Sequence, residues 1–545
     1  MDDAIIVGAG FGGLYALHRL RQLGLRARVF ERGDGVGGTW YWNRYPGARC
    51  DVESLDYSYS FSPELEQEWE WTERYPTQPE ILRYLNHVAD RFDLRRDVEL
   101  GTTVTAAAFD ELGGRWIVTT EDGREHAARF LILAVGCLST RLEPPFPGLA
   151  DFCGDWYHTA DWPREGVDFG GRRVGVVGTG STGIQVIPQI AAQAEHLYVF
   201  QRTPSFSVPA RNVPLDAERL LAEKRRYPER RALAKRSPAG VPVELNDRSA
   251  LDVTDSERLA EYEKRWARGG GANMLVSYAD LVRNQAANDT IAEFVRSKIR
   301  ETVTDPEVAE RLCPRDYPLG AKRICVDTGY YETYNRDNVT LVDVRSAHIE
   351  QVTRAGLRLA DGQEYAVDKL VFAIGFDAIT GTLLNIDIRG RGGQSLRDKW
   401  AGGPRSYLGL AVAGFPNLLT VTGPGSPSVH SNVVHSIEQH VEWIADCLDW
   451  LRRRGLTCLE ATAEAESAWF EHVDAVGHET LYPRANSWYM GANVPGKPRR
   501  VMTYVGGVPA YREACDRVAA AGYEGFRATR SAQTKPVTRA SASRL

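Results

Sequence analysis

Ala4-Ile5-Ile6-Val7-Gly8-Ala9-Gly10-Phe11-Gly12-Gly13 opens the chain, and Val174-Gly175-Val176-Val177-Gly178-Thr179-Gly180-Ser181-Thr182-Gly183 repeats its pattern far downstream. Each stretch is a short apolar run followed by a G-x-G-x-x-G turn. Apolar residues at helical spacing come next: Leu14, Leu17, Leu20 and Leu23 in the first, Ile184, Ile187 and Ile190 in the second. A buried strand, a glycine turn and an amphipathic helix make the opening of a βαβ unit. Meeting it twice predicts an α/β fold with two Rossmann-like dinucleotide-binding domains.

The glycines let backbone N–H groups approach a pyrophosphate, and the helix N-terminus adds favourable charge. Gly8, Gly10 and Gly13 serve the first unit. Gly178, Gly180 and Gly183, with Thr179, Ser181 and Thr182 between them, serve the second. The second strands tell the ligands apart. Arg26-Ala27-Arg28-Val29-Phe30 ends at Glu31, a carboxylate that accepts ribose hydroxyls and repels a 2′-phosphate. That unit fits FAD or NAD. Leu197-Tyr198-Val199-Phe200 ends instead at Gln201-Arg202-Thr203. A planar guanidinium there can pair two phosphate oxygens at once. The first loop is therefore assigned to FAD and the second to NADPH.

The rest of the chain sorts around these units. Residues 1–140 and 381–527 are expected to form the FAD-binding domain, and 141–214 and 321–380 the NADP-binding domain. Residues 215–320 form a helical insertion, with Leu259, Tyr262 and Trp266, then Ile291, Phe294 and Ile299, at helical spacing. A long helix is expected after Pro427. Its stripe is Val434, Ile437, Val441, Ile444, Leu448 and Leu451, and Gly455 is its stop. Gly423-Pro424-Gly425, before that helix, is expected to aim its positive end at the anionic edge of reduced flavin. Residues 528–545 read as a disordered tail. They end in Ser543-Arg544-Leu545, one residue from a peroxisomal address.

A net charge of −6 over 545 residues gives no electrostatic case for nucleic acid or an anionic membrane. No apolar run approaches the roughly 20 residues of a membrane span. The eight cysteines include no C-x-x-C pair, so neither a dithiol centre nor a zinc ribbon is indicated. We expect reduced thiols, a cytoplasmic enzyme, no metal and no protein partner.

Between the two units lies Phe152-Cys153-Gly154-Asp155-Trp156-Tyr157-His158-Thr159-Ala160-Asp161-Trp162-Pro163. It resembles the Baeyer–Villiger monooxygenase fingerprint F-x-G-x-x-x-H-T-x-x-W-P at Phe152, Gly154, His158, Thr159, Trp162 and Pro163. Gly37 to Asp51, Gly320 to Arg323, Tyr334 to Val339, Ala373 to Asp377 and Ser487 to Asn493 are similar to further family segments. The chain thus resembles the type I enzymes, and their phenylacetone and steroid monooxygenase branch in particular, up to about Phe526.

The resemblance implies oxygenation of a ketone to an ester or lactone with NADPH and O2, through a peroxide formed on the reduced flavin. It makes Arg323 the catalytic arginine and Asp51 the carboxylate that positions it. Thr39, Trp40, Tyr41, Trp42, Asp51, Tyr57, Val104 and Val433 become flavin contacts. Thr203 and Lys322 fall near the NADPH phosphate, and Trp488 over the nicotinamide ribose. Ser428, Val429 and His430 become pocket residues, although His430 is polar where the family usually has a small or aliphatic residue. An arginine suits the task because it stays protonated at any working pH, keeping the peroxide anionic and stabilising an oxyanion. A histidine and a tryptophan in the fingerprint loop are expected to pin the linker between the domains rather than to act as a base. Bulky aryl, cyclic or polycyclic ketones are the expected substrates. Three other readings compete: a heteroatom-oxidising flavin monooxygenase, a disulfide reductase, which would need a C-x-x-C, and a non-catalytic NADPH sensor.

Overall fold

The computed structural model describes residues 1–530. Asp2–Val7 is a strand, Phe11–Gln22 a helix, and Ala27–Phe30 a second strand parallel to the first. Arg173–Val177, Ser181–Ala191 and His196–Gln201 repeat this unit. The glycines explain why both stretches fold alike. A Cβ on Gly13 would lie 1.7 Å from the Gly8 carbonyl oxygen, and one on Gly183 would lie 2.2 Å from that of Gly178. Each helix can therefore sit on its strand only without those side chains.

The first sheet runs Asp387–Arg389, Val104–Asp110, Arg115–Thr120, Glu125–Leu133, Asp2–Val7, Ala27–Phe30, Val98–Glu99, with Leu418–Thr420 also pairing to Glu125–Leu133. It joins residues from both ends of the chain. The second sheet is wholly parallel: Val339–Asp343, His196–Gln201, Arg173–Val177, Lys369–Phe372, Asp155–His158. Its last member carries the middle of the fingerprint. That stretch, expected as a linker loop, is an edge strand whose residues Asp155–His158 pair with Lys369–Phe372.

The insertion is helical, with Ala217–Lys224, Tyr227–Arg236, Asp255–Arg268, Gly271–Leu275, Gln285–Thr302 and Pro306–Leu312. Tyr262, Ile291, Phe294 and Ile299 share one apolar cluster with Val174, Val176, Ile184 and Ile187 of the second unit. Leu259 departs from the expected stripe and is 53% exposed. Only the face bearing Tyr262 meets the neighbouring helix, where the Tyr262 and Thr290 hydroxyls lie 2.7 Å apart.

Helix Val433–Arg453 buries its stripe against helix Phe11–Gln22 and ends before Gly455, which has φ +63°. It follows Pro427 as expected, starting at Val433, and Asn432 caps it, the Asn432 side chain accepting from the Val434 N–H at 3.2 Å. The expected tail also begins too early. Phe526–Thr529 is a strand paired with Cys458–Ala461, because Phe526 and Ala528 pack on the core. Most of the expected tail, Ser543-Arg544-Leu545 included, lies outside the described residues. No helix among the described residues is long and apolar enough to cross a membrane.

Candidate active site

Asp51 lies in the strap that follows the first unit, and Arg323 lies in the loop that enters strand Cys325–Asp327. The two meet as a fork. Arg323 Nε donates to Asp51 Oδ2 at 2.7 Å, and Nη2 donates to Oδ1 at 2.7 Å. Nη1 donates to the Val429 carbonyl at 2.6 Å. Two parallel bonds fix the guanidinium plane, and the third fixes its reach. Burial alone would raise the Asp51 carboxyl, but the charge and hydrogen bonds of Arg323 hold it below the usual carboxylate range. Burial likewise opposes the charge on Arg323, and Asp51 reverses that and pushes it up. Both groups stay ionised at any working pH.

The turn Ser428–His430 supplies the third partner. Ser428 is fully buried with φ +44°, a strained conformation for a serine. That turn holds the Val429 carbonyl against Arg323. His430 packs on the rings of Tyr489, at 4.2 Å, and Tyr482, at 4.7 Å, which also touch each other at 5.8 Å. The Tyr489 hydroxyl is pushed up to about 12, chiefly by burial, with the charge of Arg323 acting against the shift. The ring of Trp488 lies 4.4 Å from that of Tyr489.

The first glycine loop and Glu31 come together as expected. The Glu31 carboxylate accepts from Ala9 N at 2.8 Å and from Gly33 N at 2.7 Å, which sets it beside the loop. Thr39–Trp42 forms one helical turn. In it Trp40 Nε1 donates to the Tyr57 hydroxyl at 3.1 Å, Tyr41 is buried and Trp42 lies under the Arg32 guanidinium. Val433 opens the long helix, half-buried. Val104 sits apart from the fork, in the apolar core beside Val7 and Phe30.

At the second loop the Thr179 hydroxyl donates to the Thr203 carbonyl at 3.1 Å, and Ser181 Oγ lies 3.4 Å from Cys325 Sγ. A Cβ on Gly180 would meet no protein atom within 4 Å, so packing does not demand that glycine. Both helices start at a glycine without a side-chain cap, leaving first-turn N–H groups for a ligand. Lys322 is half-buried with its ammonium over the Tyr317 ring. Burial, then the charge of Arg202, lowers its pKa. Arg202, just past the strand end, and Lys322, near enough to feel its charge, suit a phosphate group. The residues present thus fit FAD in the first unit and NADPH in the second.

Residues 2–213 match the model of the flavin-binding monooxygenase-like family. The chain is 46% identical to an acetone monooxygenase (methyl acetate-forming) of Gordonia sp. strain TY-5, over 96% of this chain and 98% of that one. It is 43% identical to a phenazine N-monooxygenase of Lysobacter antibioticus, over 96% of both. Its fold matches a structure of oxidized steroid monooxygenase bound to NADP with a TM-score of 0.93 at 53% identity, covering 97% of this chain and 99% of that one. The chain belongs to the type I Baeyer–Villiger monooxygenases. It is an FAD-containing, NADPH-dependent member of that family.

In this Baeyer–Villiger monooxygenase the fingerprint residues are tied into the second sheet and its surroundings. His158 is buried, its Nδ1 accepts from Ala160 N at 3.0 Å, and burial lowers its pKa. Thr159 bonds the Phe372 carbonyl through its backbone N–H and its hydroxyl. Trp162 packs on Tyr157 and Phe169, followed by half-buried Pro163. Phe152 packs near Phe372, and a Cβ on Gly154 would lie 2.2 Å from the Asp368 carbonyl oxygen. Sequence reasoning missed Tyr482 and Tyr489. It also missed Gln185, which accepts from the Tyr45 hydroxyl at 2.8 Å and donates to the Arg49 carbonyl at 3.0 Å. This clamps the strap of Asp51 onto the second glycine helix. Gln185, a polar residue set between Ile184 and Val186 in a largely apolar helix, was the available signal.

Burial holds the imidazoles of His430, His435 and His440 down to about 3. Their folded pKa values are depressed, so their neutral forms favour the folded state above about 6.5, the unfolded value. That stabilisation is lost as pH falls from there toward 3. Burial also raises the carboxyls of Glu438 to about 7 and Asp327 to about 6, and these act in the opposite sense over the same range. We expect the thermal midpoint of the holoenzyme to fall from pH 7 to pH 5, with a net uptake of protons on unfolding smaller than three. Unfolding at pH 5 with net release of protons contradicts the burial of these rings.

Proposed function

We propose that this enzyme converts ketones to esters or lactones with NADPH and O2. The fork of Asp51 and Arg323, between segments of the two nucleotide-binding units, carries that reading. FAD, when bound, supplies the electron chemistry between NADPH and oxygen. The chain supplies a fixed positive charge. Arg323 has guanidinium N–H groups beyond those that bind Asp51 and Val429, and they can donate to an oxygen whose negative charge grows as the ketone carbon becomes tetrahedral. Asp51 orients the fork and compensates for its burial. Arg323 never has to give up its proton.

In this reading Gly8, Gly10, Gly13 and Glu31 hold the adenosine diphosphate of FAD. Thr39–Trp42, Tyr57, Val104 and Val433 border the rest of that cofactor. Gly178 to Gly183 hold the NADPH pyrophosphate, and Arg202, Thr203 and Lys322 its 2′-phosphate. Trp488 covers the nicotinamide side. The aromatic wall of Tyr482, Trp488 and Tyr489 beside His430 supports a bulky aryl, cyclic or polycyclic ketone. The eight unpaired cysteines fit a reducing, cytoplasmic setting. A second reading, heteroatom oxidation, is favoured by the likeness to the phenazine N-monooxygenase. It would not depend on a cationic fork.

Two outcomes test these roles. Arg202→Ala and Lys322→Ala should each raise KM for NADPH about tenfold or more, the worth of a hydrogen bond to a charged group, and leave KM for NADH nearly unchanged. Equal losses for both coenzymes contradict the phosphate role. In Arg323→Ala, NADPH should still reduce the bound flavin, while ester formation should fall by about 100-fold or more. An Arg323→Ala enzyme that forms ester at the parent rate removes the proposed mechanism. Loss of ester with sulfide or amine oxidation kept separates the second reading from the first.

A further inference from the structure

A cleft of about 780 Å³ lies away from the fork, between the helical insertion and the strap around Glu53 and Arg74. Its size is that of a small-molecule site. The walls carry cations and carboxylates, and most of them neutralise one another. Glu53 is bonded to Arg74 at 2.7 Å, Glu223 pairs with Arg230 at 3.1 Å, Glu244 with Lys264 at 3.4 Å, and Arg226 with Glu229 at 3.3 Å. Three guanidiniums remain. Arg211, Arg219 and Arg268 all line the cleft, and among the described residues none of their side chains has a hydrogen-bond, ion-pair or ring partner.

Two further observations concern the same place. Arg211 has φ +48°, a left-handed backbone that an arginine adopts only at a cost. The cleft also exposes apolar surface: Val213 is 37% and Leu233 is 39% exposed, with Pro242 and Val243 beside them. Six of the ten large exposed hydrophobics lie between Val213 and Leu259. An inorganic anion would satisfy the guanidiniums and leave this apolar wall wet. A water-filled surface groove would solvate the guanidiniums and likewise leave the apolar wall wet.

We propose that this cleft binds an amphiphilic organic anion, a carboxylate on an apolar body, at a site separate from the ketone site. The carboxylate meets Arg211, Arg219 and Arg268, and the apolar body lies on Val213, Leu233 and Val243. Arg74 forms part of the floor. It bonds the Arg268 carbonyl at 2.7 Å as well as Glu53, so a ligand here touches the strap that carries Asp51.

The test is calorimetric titration of the FAD-loaded enzyme with decanoate, decan-1-ol and inorganic phosphate. The same titrations are made on the triple variant Arg211→Gln, Arg219→Gln, Arg268→Gln. These side chains are exposed, so flavin content and ketone turnover of the variant should match the parent and report its fold. We expect saturable one-to-one binding of decanoate, at least tenfold tighter than decanol or phosphate, and weakened at least tenfold in the variant. Decanoate binding that the variant leaves unchanged places the ligand elsewhere and overturns the proposal, as does no saturable binding. Phosphate binding as tightly as decanoate overturns the amphiphilic assignment. The result does not depend on ketone oxygenation, so its failure and the failure of that reading are distinguishable.

Discussion

A buried guanidinium is expensive unless a carboxylate meets it in good geometry, and that constraint organises the centre of this molecule. Arg323 and Asp51 are 272 residues apart in the chain, and each belongs to a segment tied to a different nucleotide-binding unit. Their fork can form only when both units have folded and docked. Val429 then extends it to a third segment through a turn strained at Ser428. Gln185 adds a second tie, from the strap to the second glycine helix. The site is thus a consequence of how two similar units are held against each other, and neither unit contains it alone.

The same arrangement separates tasks. The glycine loops need only backbone and small residues to cradle phosphates. In the proposed roles the discriminating charges are Glu31 in one unit and Arg202 with Lys322 in the other. The fork keeps one permanent charge between them. Fingerprint residues such as His158 and Thr159 hold an edge strand to its neighbour, so their contribution is to the frame.

What was legible in the sequence was local. Gly8, Gly13 and Glu31 fall within one short unit, and their spacing already expresses a strand, a turn and a helix. The role proposed for Arg202 rests on the same kind of local reading, an arginine in place of an acid at a defined strand end. The pairing of Asp51 with Arg323 came only from family likeness, since no periodicity links positions so far apart. Tyr489 and Tyr482 were invisible because their importance lies in a neighbour, His430, brought to them by folding. Phe526–Thr529 was misjudged because a short edge strand among charged and small residues has little pattern of its own. Its partner Cys458–Ala461 is distant in the sequence.

The interdependence of the fork is measured most directly by a double-mutant cycle on ester formed per NADPH oxidised, with Asp51→Ala, Arg323→Ala and both together. If Asp51 acts through Arg323, the double variant is no worse than Arg323→Ala alone, and the coupling between the two positions is nearly the whole effect of Asp51→Ala. Losses that simply multiply, with no coupling, contradict a functional unit made of these two side chains.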